Sequence, residues 1–526
     1  MKAKTLMIQG TCSDAGKSLL VTALCRIFAD RGYKVAPFKS QNMALNSFAT
    51  EEGLEIGRAQ ALQAEAARIK ASVDMNPILL KPTDSRRAQV IVKGRVYKNL
   101  SAHDYYLEKR QLLDLVESSL NKLLDTYDLV IIEGAGSPAE VNLKEEDIAN
   151  MRIAKMADAP VILVGDIDRG GVFASLIGTL ELLEQDEKDR IKGFVINKFR
   201  GDISLLKAGL DFLEERTGVG VIGVIPYIHD LKLDSEDSLA LDNLGCNHKG
   251  ENGMLINGNA VDIAVIRLPH ISNFTDVDVF AHEPGVKLRY VTPGSPIRDT
   301  DLVIIPGTKN TIEDMEVLHK KGMVKEIREL RDKGTPVIGI CGGYQMLGKV
   351  LRDEYGVESG RKQIEGLGLL ECETKLSREK VTVQVEAEVT GGGAILGPIA
   401  KCRIRGYEIH MGRTELYDGA SKAFSIKRRG EKEDSFGDGC VSEDGLVFGT
   451  YIHGLFDNGV LRKSLLDFIK SRKGLKRDSI GIDYNLYRQS QIDYLAKKVL
   501  ESVDVDFIER NILKIGGELK NRSAAL

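Results

Sequence analysis

No Cys-x-x-Cys pair occurs among the 7 cysteines. Neither a zinc site nor a disulfide framework is therefore indicated, and a reducing compartment fits best. No apolar run reaches membrane-spanning length. Met1-Lys2-Ala3-Lys4 leads straight into a strand pattern with no signal-peptide core behind it. The expectation is a cytoplasmic chain without a membrane partner. A strong charge of either sign is also missing: 73 Lys and Arg stand against 77 Asp and Glu, a net charge of −4. That balance gives no electrostatic reason to expect nucleic acid. Tryptophan is absent, and no low-complexity tract or internal repeat is evident.

What is present is an ordinary globular composition, 43% hydrophobic and 29% charged over 526 residues. That length is too great for one core and suits two or three domains. Short β-branched runs alternate with helix-period segments, the pattern of a parallel α/β sheet. In the first half these runs are 5–9, 35–38, 129–132, 161–164, 193–196 and 221–225. Residues 236–260, rich in Asp, Asn, Gly and Ser, read as a linker. The alternation restarts at 263–268 and continues through 288–291, 302–305, 337–340 and 446–451. The expected organisation is a nucleotide domain over 1–235, a second α/β domain over 261–475, and a helical tail over 476–526 that frays at 522–526.

Gly10-Thr11-Cys12-Ser13-Asp14-Ala15-Gly16-Lys17-Ser18 lies between the first strand and a helix predicted over 17–30. This is the setting of a P-loop. Backbone amides from Gly10 to Gly16 would surround phosphates, Lys17 would reach the outer ones, and the Ser18 hydroxyl would meet Mg²⁺. The glycine spacing is one residue longer than the common form. Glu133 ends the run Leu129-Val130-Ile131-Ile132, where its carboxylate would suit Mg²⁺. Asn197 and Lys198 end another strand, where a base-reading loop would sit. The guanine-specific pattern would place Asp at position 200, where Arg stands, which favours ATP. Asp166 and Asp168 also end a strand at the ligand-binding edge, and their roles stay undivided.

In the second half, Pro336-Val337-Ile338-Gly339-Ile340-Cys341-Gly342-Gly343 is a strand that runs into a nucleophile elbow. The flanking glycines permit the sharp turn that lifts a thiol above the sheet edge, and the following helix favours thiolate. A core cysteine would not need glycine on both sides. The base expected is His453, which closes a late strand, in preference to His410. Gly307, after the strand at 302–305, and Gly342 are the expected oxyanion donors.

The second half resembles class I (triad) glutamine amidotransferases of flavodoxin-like fold. The first resembles the dethiobiotin synthetase branch of P-loop proteins. Their order, together with Gln9-Gly10-Thr11, the stretches at 39–47 and 57–61, and Met75-Asn76-Pro77-Ile78-Leu79-Leu80-Lys81-Pro82, resembles the cobyric acid synthase group of the cobalamin pathway. The related a,c-diamide synthases carry an acidic Gly-Pro-Asp type segment where this chain has Ser40-Gln41-Asn42. One departure from the triad stands out: Leu455 occupies the position two after the histidine where an acid is usual. The resemblance implies that a Cys–His pair suffices in this group, with a less firmly held imidazole and with Glu408 as a conceivable substitute acid.

The resemblance implies glutamine hydrolysis at Cys341 and ATP-dependent activation of carboxylates on a corrinoid substrate. The carboxylates would be b, d, e and g of adenosylcobyrinic a,c-diamide. Lys39, Gln41, Asn42, Lys81, Arg86 and Arg87 are candidates for meeting those carboxylates or the phosphates. A different amidoligase on the same scaffold is the nearer alternative, and a non-catalytic P-loop switch the further one. Whether the chain forms a homo-oligomer is left open by the sequence.

Overall fold

The computed structural model describes residues 2–83, 87–233, 260–476 and 481–515. Most of the expected linker, Arg86 and the end expected to fray lie outside the described residues. Two six-stranded sheets organise the chain. In the first, Val221–Pro226, Ile191–Phe199, Val161–Asp166, Lys4–Gly10, Leu129–Glu133 and Val35–Phe38 lie side by side, all parallel. Strands of such a sheet are covered on both faces and so read as continuous apolar runs. Every residue of Leu129–Glu133 and of Val161–Asp166 is buried accordingly. The helix Lys17–Asp30 follows the first strand; Arg31 caps it and Gly32 adopts φ 92° just beyond.

In the second sheet the order is Val286–Val291, Val261–Ile266, Leu302–Ile305, Val337–Ile340, Val447–Thr450 and Cys440–Val441. The pairings are parallel except at Cys440–Val441, which is antiparallel. The strand runs expected from sequence coincide with these elements to within a few residues.

Three further sheets were not anticipated, one of them the short antiparallel pair Ser47–Ala49 and Glu55–Gly57. Gln41–Met43, Ile78–Pro82, Arg87–Val92 and Arg95–Ser101 form a four-stranded sheet in the first half. In the second half, the 18-residue strand Cys372–Val389 pairs antiparallel with the 14-residue strand Arg403–Leu416. Cys372–Val389 alternates between buried and partly exposed positions toward both ends, the signature of a sheet wet on one face, and Arg403–Leu416 mixes buried and exposed positions instead of forming a continuous buried run.

These extra sheets carry the contact between the halves. Lys81 from the first half and Lys380 from the second share the carboxylate of Glu55; Lys81 and Glu55 are buried and Lys380 is half-buried. Phe48 packs edge-on to Tyr407 with centroids 5.0 Å apart. After the second domain the chain returns to the first: Tyr484–Ser502 lies against Lys17–Asp30. Arg488 there pairs with Glu65 at 3.0 Å, and the buried Arg26 pairs with Asp493 at 3.3 Å.

Candidate active site

Cys341 follows the strand Val337–Ile340 and precedes the short helix Gly342–Leu347 with φ 53° and ψ −110°. A non-glycine residue with positive φ stores backbone strain, and here the strain lifts the thiol out of the sheet. A side chain at 343 would collide with the Ile305 carbonyl, so the turn needs glycine there. The Sγ lies 3.4 Å from the Ile409 carbonyl oxygen and near enough to the His453 imidazole to raise its pKa.

His453 is buried, and its Nδ1 lies 2.7 Å from Asp276 Oδ2. Asp276 Oδ1 accepts the Gly454 amide at 2.8 Å, which fixes the carboxylate itself. Burial alone would lower the imidazole's pKa. The carboxylate of Asp276 and the sulfur of Cys341 outweigh it and hold the ring at about 10. The third member expected to be missing is therefore present, but it comes from the segment Phe274–His282 and not from the residue two after the histidine. The expectation of a loosely held imidazole is corrected accordingly.

Glu408 does not serve as the substitute acid. Its carboxylate is bound by Arg429 at 2.5 Å, and its strand position pairs with Ile452. His410 stacks on Tyr451 with centroids 3.9 Å apart, and its Nδ1 lies 2.8 Å from the Gly412 carbonyl. Burial pushes its pKa down to about 3, so it stays neutral and is no competitor to His453. Gly307 sits where a Cβ would lie 3.4 Å from His453 Cε1. A Cβ on Gly342 would lie 3.1 Å from the Thr308 amide nitrogen, so the two loops named for the oxyanion meet beside the thiol.

In the first half, Lys17 Nζ bonds the carbonyls of Cys12 at 2.8 Å and Gly136 at 3.1 Å. The P-loop and the loop after Leu129–Glu133 thus close around the ammonium. Gly16 has φ 97°, and a Cβ there would strike Asn197 Nδ2, which donates to the Ala15 carbonyl at 2.8 Å. Lys198 Nζ bonds the Asp14 carbonyl at 2.7 Å and Asp166 at 2.8 Å. Asn197, Lys198 and Asp166 therefore brace the P-loop backbone. Asp168 pairs instead with Arg200 at 2.7 Å, and that guanidinium lies 3.5 Å over the Tyr227 ring.

Glu133 is the hub. Its carboxylate accepts Ser18 Oγ at 2.8 Å, Lys39 Nζ at 2.8 Å and Gln63 Nε2 at 2.6 Å. Gln63, on the helix Arg58–Ala66, was not singled out from sequence. A hydroxyl and a carboxylate in contact are hard oxygen donors suited to Mg²⁺. Among the described residues no cluster of three His, Cys, Asp or Glu forms a metal cage, so an ion here would complete its shell from phosphate oxygens. Of the remaining candidates, Gln41 accepts the Tyr105 hydroxyl at 2.6 Å and Asn42 donates to Gln60 at 3.0 Å. Lys81 is held at the contact between the halves, 2.8 Å from Ser47 Oγ, and Arg87 is exposed.

A phosphate loop and an elbow thiol in one chain define the class, a glutamine amidotransferase coupled to a nucleotide-dependent amidoligase. Two family descriptions match accordingly. Residues 6–240 match the CobQ/CobB/MinD/ParA nucleotide binding domain, and residues 262–460 match the CobB/CobQ-like glutamine amidotransferase domain. The chain is 51% identical to the cobyric acid synthase of Thermoanaerobacter sp., over 96% of this chain and 97% of that one. It is 52% identical to that of Caldanaerobacter subterraneus, over 96% and 98%, and 50% identical to that of Sorangium cellulosum, over 97% and 99%. The chain belongs to the cobyric acid synthase family. Among the described residues no helix is long and apolar enough to cross a membrane.

Proposed function

We propose that this enzyme amidates the b, d, e and g carboxylates of adenosylcobyrinic a,c-diamide in the cytoplasm, with glutamine as nitrogen source and ATP as activator. The observation that carries the glutaminase half is the Cys341–His453–Asp276 arrangement, with His453 Nδ1 2.7 Å from Asp276. The Cys341 sulfur attacks the side-chain amide of glutamine, and the amides of Gly307 and Gly342 take the charge that develops on the oxygen. His453, held protonated by Asp276, gives its proton to the departing ammonia. It then accepts one from water, which releases glutamate from the thioester.

At the other site, a free carboxylate is a poor electrophile, and its conversion to an acyl phosphate supplies the leaving group that ammonia needs. The amides of Gly10–Gly16, among them those of Thr11, Ser13, Asp14 and Ala15, surround the phosphates. Lys17 draws charge from the outer ones. Mg²⁺, held by Ser18 and Glu133, would neutralise phosphate charge there. Lys39, already on Glu133, would be the cation to meet the substrate carboxylate or the phosphates, with Gln41, Asn42 and Lys81 as the further substrate candidates.

Mass spectrometry of cobyrinic a,c-diamide incubated with enzyme, Mg-ATP and glutamine tests the assignment. A ladder of products is expected, each step one hydroxyl exchanged for an amine. ATP hydrolysis with no change in that substrate would refute it.

A further inference from the structure

Lys309 stands between two residues that pack on the elbow. A Cβ on Gly342 would lie 3.1 Å from the Thr308 amide nitrogen and 3.3 Å from Thr311 Oγ1. The Lys309 backbone N–H donates to the His270 carbonyl at 2.9 Å, which pins the loop. The side chain is half-buried, and among the described residues its ammonium makes no hydrogen bond and no ion pair. Burial lowers its pKa accordingly. Taking a cation out of water without a partner is costly. The neighbouring His270 is already taken, its Nδ1 2.7 Å from Asp314 Oδ1.

Glu358 lies at the same turn. Its Oε2 accepts the Thr311 amide at 2.6 Å, and Thr311 Oγ1 donates to Gln345 Oε1 at 2.9 Å, on the helix that follows Cys341. These bonds tie the carboxylate to the elbow helix. A carboxylate has more lone pairs than one amide uses. The charges that act on the Lys309 ammonium are Glu358 first, then Lys81, Glu55 and the Cys341 sulfur. Of these, Lys81 and Glu55 are already bound to each other at 2.9 Å.

Lys309 and Glu358 thus attract each other and yet do not pair. Such an arrangement suits a ligand that carries one charge of each sign on a single carbon. The head of an α-amino acid is that ligand: its α-carboxylate matches Lys309 and its α-ammonium matches Glu358. Glutamine bears its amide at the far end of a short, unbranched chain. A head fixed beside Thr308 and Thr311 delivers that amide to the thiol, which shares the turn.

We propose that Lys309 and Glu358 are specificity-determining residues that clasp the α-carboxylate and the α-ammonium of glutamine and so set its side-chain amide against Cys341. Amides without the zwitterionic head make at most one of the two contacts. The inference rests on the reading of Cys341 as the glutaminase nucleophile, and a parallel variant separates the two.

The test measures glutamate release by the full-length native, Lys309→Met and Glu358→Gln proteins, with two competitors of glutamine. Glutaramate keeps the carboxylate of glutamine and lacks its α-amino group; 4-aminobutanamide keeps the amino group and lacks the carboxylate. Losing one charge-assisted bond should raise KM for glutamine about 10–100-fold in each variant, with kcat little changed. In Lys309→Met the inhibition constant of glutaramate should rise in step, and that of 4-aminobutanamide should not. Glu358→Gln, which keeps an acceptor for the Thr311 amide, should show the reverse. The denaturation midpoint of Lys309→Met should hold or rise, since the substitution removes a cation that only substrate pairs. An unchanged KM in Lys309→Met, equal rises for both competitors in either variant, or a collapse of kcat at unchanged KM would each overturn the inference. So would a lowered midpoint with loss of ammonium-driven amidation, because the residues would then serve only to hold the fold. If Cys341→Ala still releases glutamate at the native rate, the nucleophile assignment itself fails, whatever the Lys309 and Glu358 variants do.

Discussion

Asp276 Oδ2 lies 2.7 Å from His453 Nδ1 across 177 residues of sequence, and this contact turns a Cys–His pair into a three-membered system. The carboxylate keeps the buried imidazole protonated up to about pH 10. Glutaminase turnover, which needs that proton for the leaving ammonia, should hold through neutral pH and fall as pH passes about 10. In Asp276→Asn the larger raising influence is gone and only the Cys341 sulfur still opposes burial, so the alkaline fall should move to lower pH. kcat at neutral pH should drop about 10²–10⁴-fold, the usual worth of a placed acid–base group. A pH–rate profile of glutamate release in both proteins checks this.

In the proposed function Cys341 acts only on glutamine, and carboxylate activation belongs to the other half. Cys341→Ala should abolish glutamine-dependent amidation and leave amidation driven by added ammonium close to native. Product mass spectra with each nitrogen source separate the two activities. Loss of both would place Cys341 in the fold rather than in the chemistry.

Gly16 is the reciprocal case. Alanine there meets both a φ of 97° and the Asn197 carboxamide. The strained backbone alone costs about 1–3 kcal/mol, and the loop that cradles phosphate must deform. Gly16→Ala should lose ATP-dependent amidation with either nitrogen source while its glutaminase persists. Parallel assays of ADP and glutamate release measure the split.

Glu55 is buried between two lysines of different halves, Lys81 and Lys380. It is drawn well below the usual carboxylate range by the two ammonium groups, against the opposing effect of burial. Glu55→Gln leaves two cations facing a neutral amide. Removing one partner of a buried pair costs about 3–5 kcal/mol, so the denaturation midpoint should fall clearly. Adding Lys380→Met to Glu55→Gln should recover part of the loss. Guanidinium titrations of the native, single and double variants make the comparison.

The P-loop at 10–18 and the elbow at 339–343 were legible because each is a local device. A strand, a turn with glycines at fixed places and a following helix lie within a dozen or so residues, and backbone sterics dictate the residue types. The parallel strands were legible for a related reason, since burial on both faces leaves continuous apolar runs. The long pair Cys372–Val389 and Arg403–Leu416 was not, because exposed positions interrupt such runs. Gln63 escaped notice for a different reason: glutamine on a helix carries no pattern until the fold sets it against Glu133.

The sequence by itself determined which half carries the phosphate loop and which the elbow thiol, and it pointed to His453 as the thiol's proposed base. Tertiary structure alone decided what orients that histidine. Asp276 comes from the segment Phe274–His282, and Asn273 is the residue that caps it. Tyr407 comes from the strand Arg403–Leu416, and Ser47, which bonds Asn273 and Tyr407, comes from the other half. No spacing along the chain records those meetings. The contact of Asp276 with His453 forms only when the second half folds, and those of Ser47 only when the two halves pack together, because each joins residues far apart in sequence.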